Sequence, residues 1–181
     1  MWRGTHELPG AGLTVEALAY AQSPAPHPVS APSTVLAFDF GERYLGVAIG
    51  NTVTGLANPL DMIEATEVDK RFAAIEALIK DWQPARLVVG LPLAMDGTEH
   101  AMTARCRRFA RQLEGRFRLP VALVDERLSS ASAEEALREA GKGGRKHKHL
   151  AHSLSAQIIL QAWFDDPEQR DPTQHQAGTS S

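Results

Sequence analysis

Acidic residues directly follow two apolar segments of this sequence. Asp39 follows the run 35–38, and the pair Asp125 and Glu126 follows the run 120–124. If both runs are strands that end at one edge of a sheet, these carboxylates lie close together. Carboxylate oxygens are the ligands that Mg²⁺ and Mn²⁺ prefer, and two such ions about 4 Å apart can activate a water molecule for phosphodiester hydrolysis. The pattern is therefore consistent with a metal-dependent phosphodiesterase, although a lone aspartate at a strand end is more often a turn former or a cap than a ligand.

The apolar pattern also predicts the elements that would position these acids. The runs 35–38 and 44–49 flank the turn residue Gly41 and predict a β-hairpin with Asp39 at its rim. The later predicted elements are a helix over 69–82, a strand over 86–90, a helix capped by Thr98 and continuing to Phe117, a strand over 120–124 and a helix over 133–140. The order β-β-β-α-β-α-β-α-α predicts a single α/β domain with a site at its strand ends.

Asp125 and Glu126 are adjacent, so their side chains point to opposite sides if both residues are extended. A structural alternative for Asp125-Glu126-Arg127 is a polar turn at a strand end with a local ion pair. Asp96 precedes Gly97, and Asp-Gly is a turn signal. We therefore interpret Asp96 as a loop former that could also contact nucleic acid.

Two segments are rich in cations. Between Arg105 and Arg118 there are six arginines and one acid, Glu114, and two of the arginines are spaced i and i+4 so that both can face outward from a helix. The segment 142–149 has four cations and no acid, and its glycines predict a mobile loop. Such cations bind phosphates without reading bases, although a charged helix face is also a common solvated surface. The residues predicted to contact nucleic acid are Lys142, Arg145, Lys146, Lys148, Arg107 and Arg111.

The composition limits the class of protein. The chain has 181 residues and a formal net charge of −3, which argues against a basic surface throughout but allows a local basic patch. Its one cysteine, Cys106, is predicted to be a buried apolar residue of a cytoplasmic protein. No apolar run is long enough to cross a membrane. Proline and polar residues predict disordered tails at 1–33 and 167–181 around a domain at 34–166.

Four ordered motifs resemble the YqgF/RuvX family. They are Asp39-Phe-Gly-x-x-x-Leu-Gly-Val-Ala-Ile-Gly50, Val89-Gly-Leu-Pro-Leu-Ala-Met-Asp-Gly-Thr-Glu99, Val124-Asp-Glu-Arg-Leu-Ser129 and Ser155-Ala-Gln-Ile-Ile-Leu160. The resemblance implies an RNase H-like mixed sheet flanked by helices, related to the Holliday junction resolvases. It also implies a nuclease that processes the 5′ end of pre-16S rRNA in ribosome biogenesis. Within the site, it favours Glu126 as a metal ligand beside Asp39, with Asp125 supporting or replacing it.

The last motif departs from the family. Members usually have an acidic residue several positions before the Ile-Ile-Leu segment, and this sequence has His152 there. Histidine is a poorer ligand than carboxylate for Mg²⁺ but an acceptable one for Mn²⁺, and it can act as a general base near neutral pH. We therefore predict Asp39, Glu126 and His152 as metal ligands and catalytic residues, with Asp125 as a further catalytic candidate. In the alternative, His152 replaces a lost ligand and leaves a weakly active protein.

Three other functions are consistent with these residues. A Holliday junction resolvase would act on branched DNA as a stable dimer, whereas a nuclease for structured RNA such as pre-rRNA could be a monomer or a weak homodimer. A catalytically weak RNA- or ribosome-binding module would account for the missing acid. The hairpin from Asp39 to Gly41 also resembles the phosphate loops of actin-type sugar kinases, but the chain is too short for their second lobe.

Overall fold

The structure is a computed structural model that describes residues 32–128, 138–139 and 145–166, with the backbone alone for residues 128 and 145–148. The elements in these residues are β1 (Thr34–Phe40), β2 (Tyr44–Asn51), β3 (Leu56–Glu64), α1 (Val68–Trp82), β4 (Arg86–Leu91), α2 (Ala101–Phe117), β5 (Val121–Asp125), a 3₁₀-helix (Glu126–Leu128) and α3 (Arg145–Asp165). The predicted succession from the first strand to the strand before Glu126 is confirmed. The predicted helix over 133–140 and the two predicted tails lie almost wholly outside the described residues.

The strands form one mixed sheet in the order β3-β2-β1-β4-β5. β1 pairs antiparallel with β2, and β2 pairs antiparallel with β3. β1 pairs parallel with β4, and β4 pairs parallel with β5. The carboxyl ends of β1, β4 and β5 therefore meet at one edge, as predicted for a mixed sheet flanked by helices.

Side-chain alternation along the strands divides the core between the two faces of the sheet. One face packs against α1 and α2, and its fully buried members include Leu36, Phe38, Leu45, Leu87, Phe109 and Leu113. Cys106 of α2 belongs to this face and is buried, as predicted. The other face packs against α3, and its members include Val35, Ala37, Ala48, Val88, Val124, Leu160 and Phe164. Because Asp39 follows Ala37 by two residues in β1, its side chain belongs to the α3 face.

The helix α2 begins later than predicted. His100 is its N-cap, and the His100 N–H donates to the hydroxyl of Thr103 at 3.1 Å. The predicted cap, Thr98, instead donates its N–H and its hydroxyl to the Asp96 carboxylate, at 2.9 and 2.7 Å. A local turn around Asp96 therefore uses Thr98 before the helix starts, because a short acidic side chain can bond the backbone two residues ahead.

The helix α3 begins inside the segment whose glycines predict a mobile loop. Its first residue is Arg145, so the prediction of a loop is wrong for residues 145–149. Arginine and lysine are good helix formers, and no glycine or proline follows Gly144 within this helix. Neither α3 nor any other helix in the described part of the chain is long and apolar enough to cross a membrane.

Candidate active site

Asp39 lies at the carboxyl end of β1, the central strand of the sheet. Its side chain lies on the α3 face and is 24% exposed, so the carboxylate is open to a ligand. Across the β1–β2 ladder, the partner of Asp39 is Gly46. The acid is thus held on a rigid strand with the smallest possible neighbour beside it.

His152 lies beside Asp39 because α3 packs closely on β2. The Nδ1 atom of His152 is 4.0 Å from Oδ2 of Asp39. Its ring stacks on Tyr44, with ring centroids 5.2 Å apart. A Cβ atom at Gly46 would overlap the backbone carbonyl of His152. Glycine at position 46 is therefore what allows α3 to bring an imidazole to Asp39.

Glu126 reaches the same face of the sheet from the other side of β4. It is the first residue of the 3₁₀-helix after β5, and its carboxylate lies over Gly90, where a Cβ atom would overlap it. Burial, followed by the negative charges of Asp39 and Asp125, raises the pKa of Glu126 to about 7. Both causes penalise the charged form of a carboxyl group. Glu126 and Asp39 therefore lie close enough to repel one another.

Asp125 is the last residue of β5, and Val124 before it belongs to the α3 face, so alternation assigns the Asp125 side chain to the opposite face. The Nε atom of Arg127 is 3.0 Å from both carboxylate oxygens of Asp125, and the Arg127 backbone N–H donates to Oδ1 at 3.0 Å. The hydrogen bonds from the Arg127 side chain lower the pKa of Asp125. The sequence allows a polar turn with a local ion pair at this strand end, and that ion pair is present between Arg127 and Asp125. Among the described residues, Glu126 has no cationic partner.

The donor set of Asp39 and Glu126 fits a hard divalent cation. Both offer carboxylate oxygens, and a nearby cation would relieve the repulsion that raises the pKa of Glu126. Within the described part of the chain, no three His, Cys, Asp or Glu side chains form a cluster that could hold a metal ion. Mg²⁺ commonly binds through one or two carboxylates and fills its other positions with water and substrate phosphate. Two carboxylates are therefore a sufficient protein contribution.

The Cys106 thiol is close to these acids but does not take part in the chemistry. Burial, followed by the negative charges of Glu126 and Asp39, raises the pKa of Cys106 to about 12. A thiol with such a pKa stays neutral near pH 7, and only the thiolate is a good nucleophile or ligand. Cys106 is therefore a core residue, as its sequence surroundings predict.

Comparison with known proteins identifies the family. A family profile described as "RuvX: Holliday junction resolvase" matches residues 33–166. The chain belongs to the RuvX family. The matched range includes Asp39, Asp125, Glu126, His152 and all five strands. The RNase H-like fold and the enzyme class, a hydrolase acting on phosphodiester bonds, are confirmed at the level of the family.

Relatives of this RuvX-family chain match it over nearly their whole length. The chain is 57% identical over 136 residues to the "Putative pre-16S rRNA nuclease" of Methylobacillus flagellatus, which covers 75% of this chain and 93% of that protein. A protein of the same name from Chromobacterium violaceum is 55% identical and covers 73% of this chain and 97% of its own. One from Dechloromonas aromatica is 50% identical, over 80% of this chain and 99% of its own.

Two solved structures with similar folds contain branched DNA. T. thermophilus RuvC in complex with a Holliday junction substrate has a TM-score of 0.48 and 19% identity, over 74% of this chain and 94% of that chain. Fowlpox virus resolvase in complex with Holliday junction DNA has a TM-score of 0.48 and 6% identity, over 73% of this chain and 97% of that chain.

The arginines of α2 in this RuvX-family protein are less available than their spacing predicts. Arg107 binds Glu99, with Nε 2.7 Å from Oε1, and Arg105 binds Glu42. Both acids lie outside the segment 105–118, so a local charge sum does not count them. Arg111 forms no ion pair with any described residue, and it lines a shallow surface hollow beside Val121 and Leu123. Of the two arginines predicted to contact nucleic acid, Arg111 is the more available.

The basic segment before His152 lies on the same helix as His152. Arg145 begins α3 about two helical turns, or roughly 10 Å, before His152. His149 lies between Arg145 and His152 on this helix, and its Nε2 is 3.3 Å from Oδ1 of Asp61 on β3. The side chains of Arg145, Lys146 and Lys148 lie outside the described part of the chain, as does all of Lys142. The described part of this basic segment is therefore separated from His152 by roughly 10 Å along the axis of one helix.

Three residues that shape the site, Gly46, Gly90 and Tyr44, are not predicted as site residues from the sequence. All three lie inside or beside the family motifs. Glycine within a strand indicates that another chain segment or a ligand approaches closely, so a signal existed for two of them. The identity of the approaching group, the α3 backbone at Gly46 and the Glu126 side chain at Gly90, depends on the packing of distant elements.

Proposed function

We propose that this protein is a metal-dependent nuclease that hydrolyses phosphodiester bonds of structured RNA during maturation of the 5′ end of pre-16S rRNA. The proposal rests on the two neighbours of Asp39: Nδ1 of His152 is 4.0 Å from Oδ2 of Asp39, and the negative charge of Asp39 helps to raise the pKa of Glu126. α/β sheets place ligands at the carboxyl ends of their strands, where Asp39 lies. The relatives share the name "Putative pre-16S rRNA nuclease", which supports RNA as the substrate.

In this proposal Asp39 and Glu126 hold the divalent cation. A bound Mg²⁺ or Mn²⁺ supplies charge stabilisation at the phosphate and makes a water molecule more acidic. Asp39 belongs to β1, and Glu126 directly follows the last residue of β5 in the same sheet, so each carboxylate is held within one residue of a strand. Gly90 keeps the space above β4 open for the Glu126 carboxylate.

His152 acts beside the carboxylates as a further ligand or as a general base. Its Nδ1 faces Asp39 at 4.0 Å, and neutral imidazole can accept a proton from water or bind a metal ion. The Tyr44 ring restricts the rotation of the His152 ring by stacking on it. Asp125, which is bound to Arg127 on the opposite side of the strand end, supports the backbone around Glu126.

The substrate backbone is held by cations at the start of α3 and by Arg111 of α2. Contacts of this kind supply affinity that depends on salt and not on sequence. Of these cations, Arg145, Lys146 and Lys148 belong to the helix that also carries His152, which supports a role for them near the site. Arg111 lies beside Val121, the first residue of β5, on the α2 face of the sheet, so it would contact a part of the RNA away from the carboxyl edge that carries Asp39.

Cleavage assays with two substrates and two variants test this function. An RNA that carries the precursor 5′ end and a four-way DNA junction are incubated with wild type, Asp39→Asn and Asp125→Asn, in Mg²⁺ and in Mn²⁺. We expect wild type to cut the RNA, and Asp39→Asn to lose more than about 100-fold in rate while it still binds RNA. Asp125→Asn is the matched control and should lose much less. Retained cleavage in Asp39→Asn would contradict the proposed site.

Branched DNA is the second candidate substrate, because the family description names a Holliday junction resolvase. A resolvase cuts two strands of a junction symmetrically and so needs two sites in one particle. Paired nicks in the junction, a stable dimer in solution and no cleavage of the precursor RNA would favour this candidate.

A further inference from the structure

A loop between β4 and α2 presents an exposed apolar side chain at the edge of the sheet that carries the site. Met95 is 91% exposed, more than any other large hydrophobic residue in the described part of the chain. An isolated exposed apolar side chain is common on protein surfaces and by itself indicates nothing. Met95 is unusual because the loop that carries it is tightly bonded and is tied to the segment that contains Glu126.

Hydrogen bonds close the tip of this loop. The Gly97 N–H donates to the Ala94 carbonyl at 2.8 Å, and the Ala94 N–H donates to the Thr98 carbonyl at 3.0 Å. Asp96 accepts two further bonds from Thr98. Gly97 has a φ of 84°, a left-handed conformation that favours glycine. The backbone at Met95 is therefore held in one conformation.

Three contacts hold the same loop on the body of the protein. The Arg127 guanidinium, which binds Asp125, also donates to the Met95 carbonyl at 3.4 Å. At the α2 end of the loop, the Thr103 hydroxyl donates to the Pro92 carbonyl, and Arg107 binds Glu99. Through Arg127, the position of Met95 is therefore linked directly to the residues on either side of Glu126.

We propose that Met95 is a substrate contact that packs against an unstacked base close to the scissile phosphate. This inference rests on the proposed nuclease function. Its side chain has no charge for a phosphate, but a thioether is polarisable and packs well on flat apolar faces. Apolar side chains are used as wedges between bases, and single-stranded or unpaired RNA exposes its base faces. A loop that is already ordered loses little entropy when it binds.

Binding measurements with modified RNAs test the contact. Met95→Ala, Met95→Leu and Val53→Ala are each made in the Asp39→Asn protein, and their affinity is measured for precursor-end RNAs in which single nucleotides are made abasic in turn. Val53 is the matched control, because it is 66% exposed and lies in the β2–β3 turn at the opposite end of the sheet. We expect Met95→Ala to weaken binding roughly 5- to 10-fold and Met95→Leu and Val53→Ala to have little effect.

The abasic series decides whether the contact is made with a base. At the nucleotide that Met95 contacts, the abasic RNA should bind the Asp39→Asn parent and its Met95→Ala derivative equally, because the base is already missing. An equal loss for Met95→Ala at every abasic position would overturn the proposal. Unchanged RNA affinity with weaker binding to precursor ribosomal particles would also overturn it and would assign Met95 to a protein partner. The cleavage rate of Asp39→Asn reports separately on the proposed nuclease function.

Discussion

The backbone carbonyl of His152 lies directly over Gly46, which is the cross-strand partner of Asp39. This approach joins α3 to the pair of strands that carries the acid. The imidazole Nδ1 of His152 is 4.0 Å from Oδ2 of Asp39. A larger side chain at position 46 would push α3 away from β2 and so carry the imidazole out of reach of Asp39.

Gly46→Ala should therefore separate His152 from Asp39. The added Cβ would force α3 or β2 to shift, and overpacking of this kind costs about 1–3 kcal/mol of unfolding free energy. We expect a loss of cleavage in conditions where circular dichroism shows the variant to be folded. Gly115→Ala is the control, because no described residue outside the helix lies within 4 Å of a Cβ atom at Gly115 on α2, and alanine favours a helix there. Full activity in Gly46→Ala would contradict the role of this contact.

Glu126 should make the metal-free protein less stable as the pH rises. Its pKa is raised from 4.5 to about 7 in the folded state, so the folded protein holds this proton more tightly than the unfolded chain does. The resulting stabilisation is complete below the unfolded pKa and is lost as the pH rises through about 7. We expect a loss of about 1–3 kcal/mol between about pH 5 and pH 8, measured by denaturant unfolding.

Glu126→Gln should remove most of this pH dependence, since glutamine does not titrate. Glu76→Gln, which changes an exposed acid of α1, should leave the dependence in place. Added Mg²⁺ should also flatten the dependence in wild type, because a bound cation favours the charged carboxylate. The same pH profile in wild type and Glu126→Gln would show that this carboxyl group is not the one that titrates.

His152 should determine the preference for the metal ion. If its imidazole is a working ligand, wild type should cleave faster with Mn²⁺ than with Mg²⁺. His152→Asp should then shift the preference toward Mg²⁺. If histidine has replaced a lost ligand, wild type should be nearly inactive with both ions and His152→Asp should gain activity. Equal activity with both ions, unaffected by His152→Ala, would contradict both versions.

The basic start of α3 should contribute phosphate contacts. Replacement of Lys142, Arg145, Lys146 and Lys148 by alanine should weaken the binding of all RNA sequences alike and reduce the slope of log affinity against log salt by up to about 3. On α2, Arg111→Ala should cost more affinity than Arg107→Ala, because Arg107 already binds Glu99. An unchanged salt slope in the fourfold variant would mean that this segment is only a solvated helix end.

Local patterns in the sequence predicted the order of the elements and the acids at the strand ends. Apolar periodicity and turn residues act over a few neighbouring positions, so they identify β1, β2 and the strand before Asp125 without knowledge of the fold. The starts of α2 and α3 were less predictable. At Thr98 a turn and a helix cap compete for the same side chain, and at Arg145 good helix formers directly follow glycines.

The sum of charges over the segment 105–118 overstates how many arginines of α2 are unpaired. Such a sum counts only residues that are neighbours in the sequence. Glu42 and Glu99 lie outside the arginine-rich part of α2, yet they bind Arg105 and Arg107. Partners that are distant in sequence do not enter a local sum.

The sequence by itself thus determined which acids lie at strand ends, because strand length and alternation are local properties. Only the tertiary structure decided that Glu126 lies close to Asp39, whereas Asp125 binds Arg127. The position of Glu126 near Asp39 depends on the parallel pairing of β1, β4 and β5 and on the approach of α3. The approach is possible because Gly46 leaves room for a helix that begins about a hundred residues later in the chain.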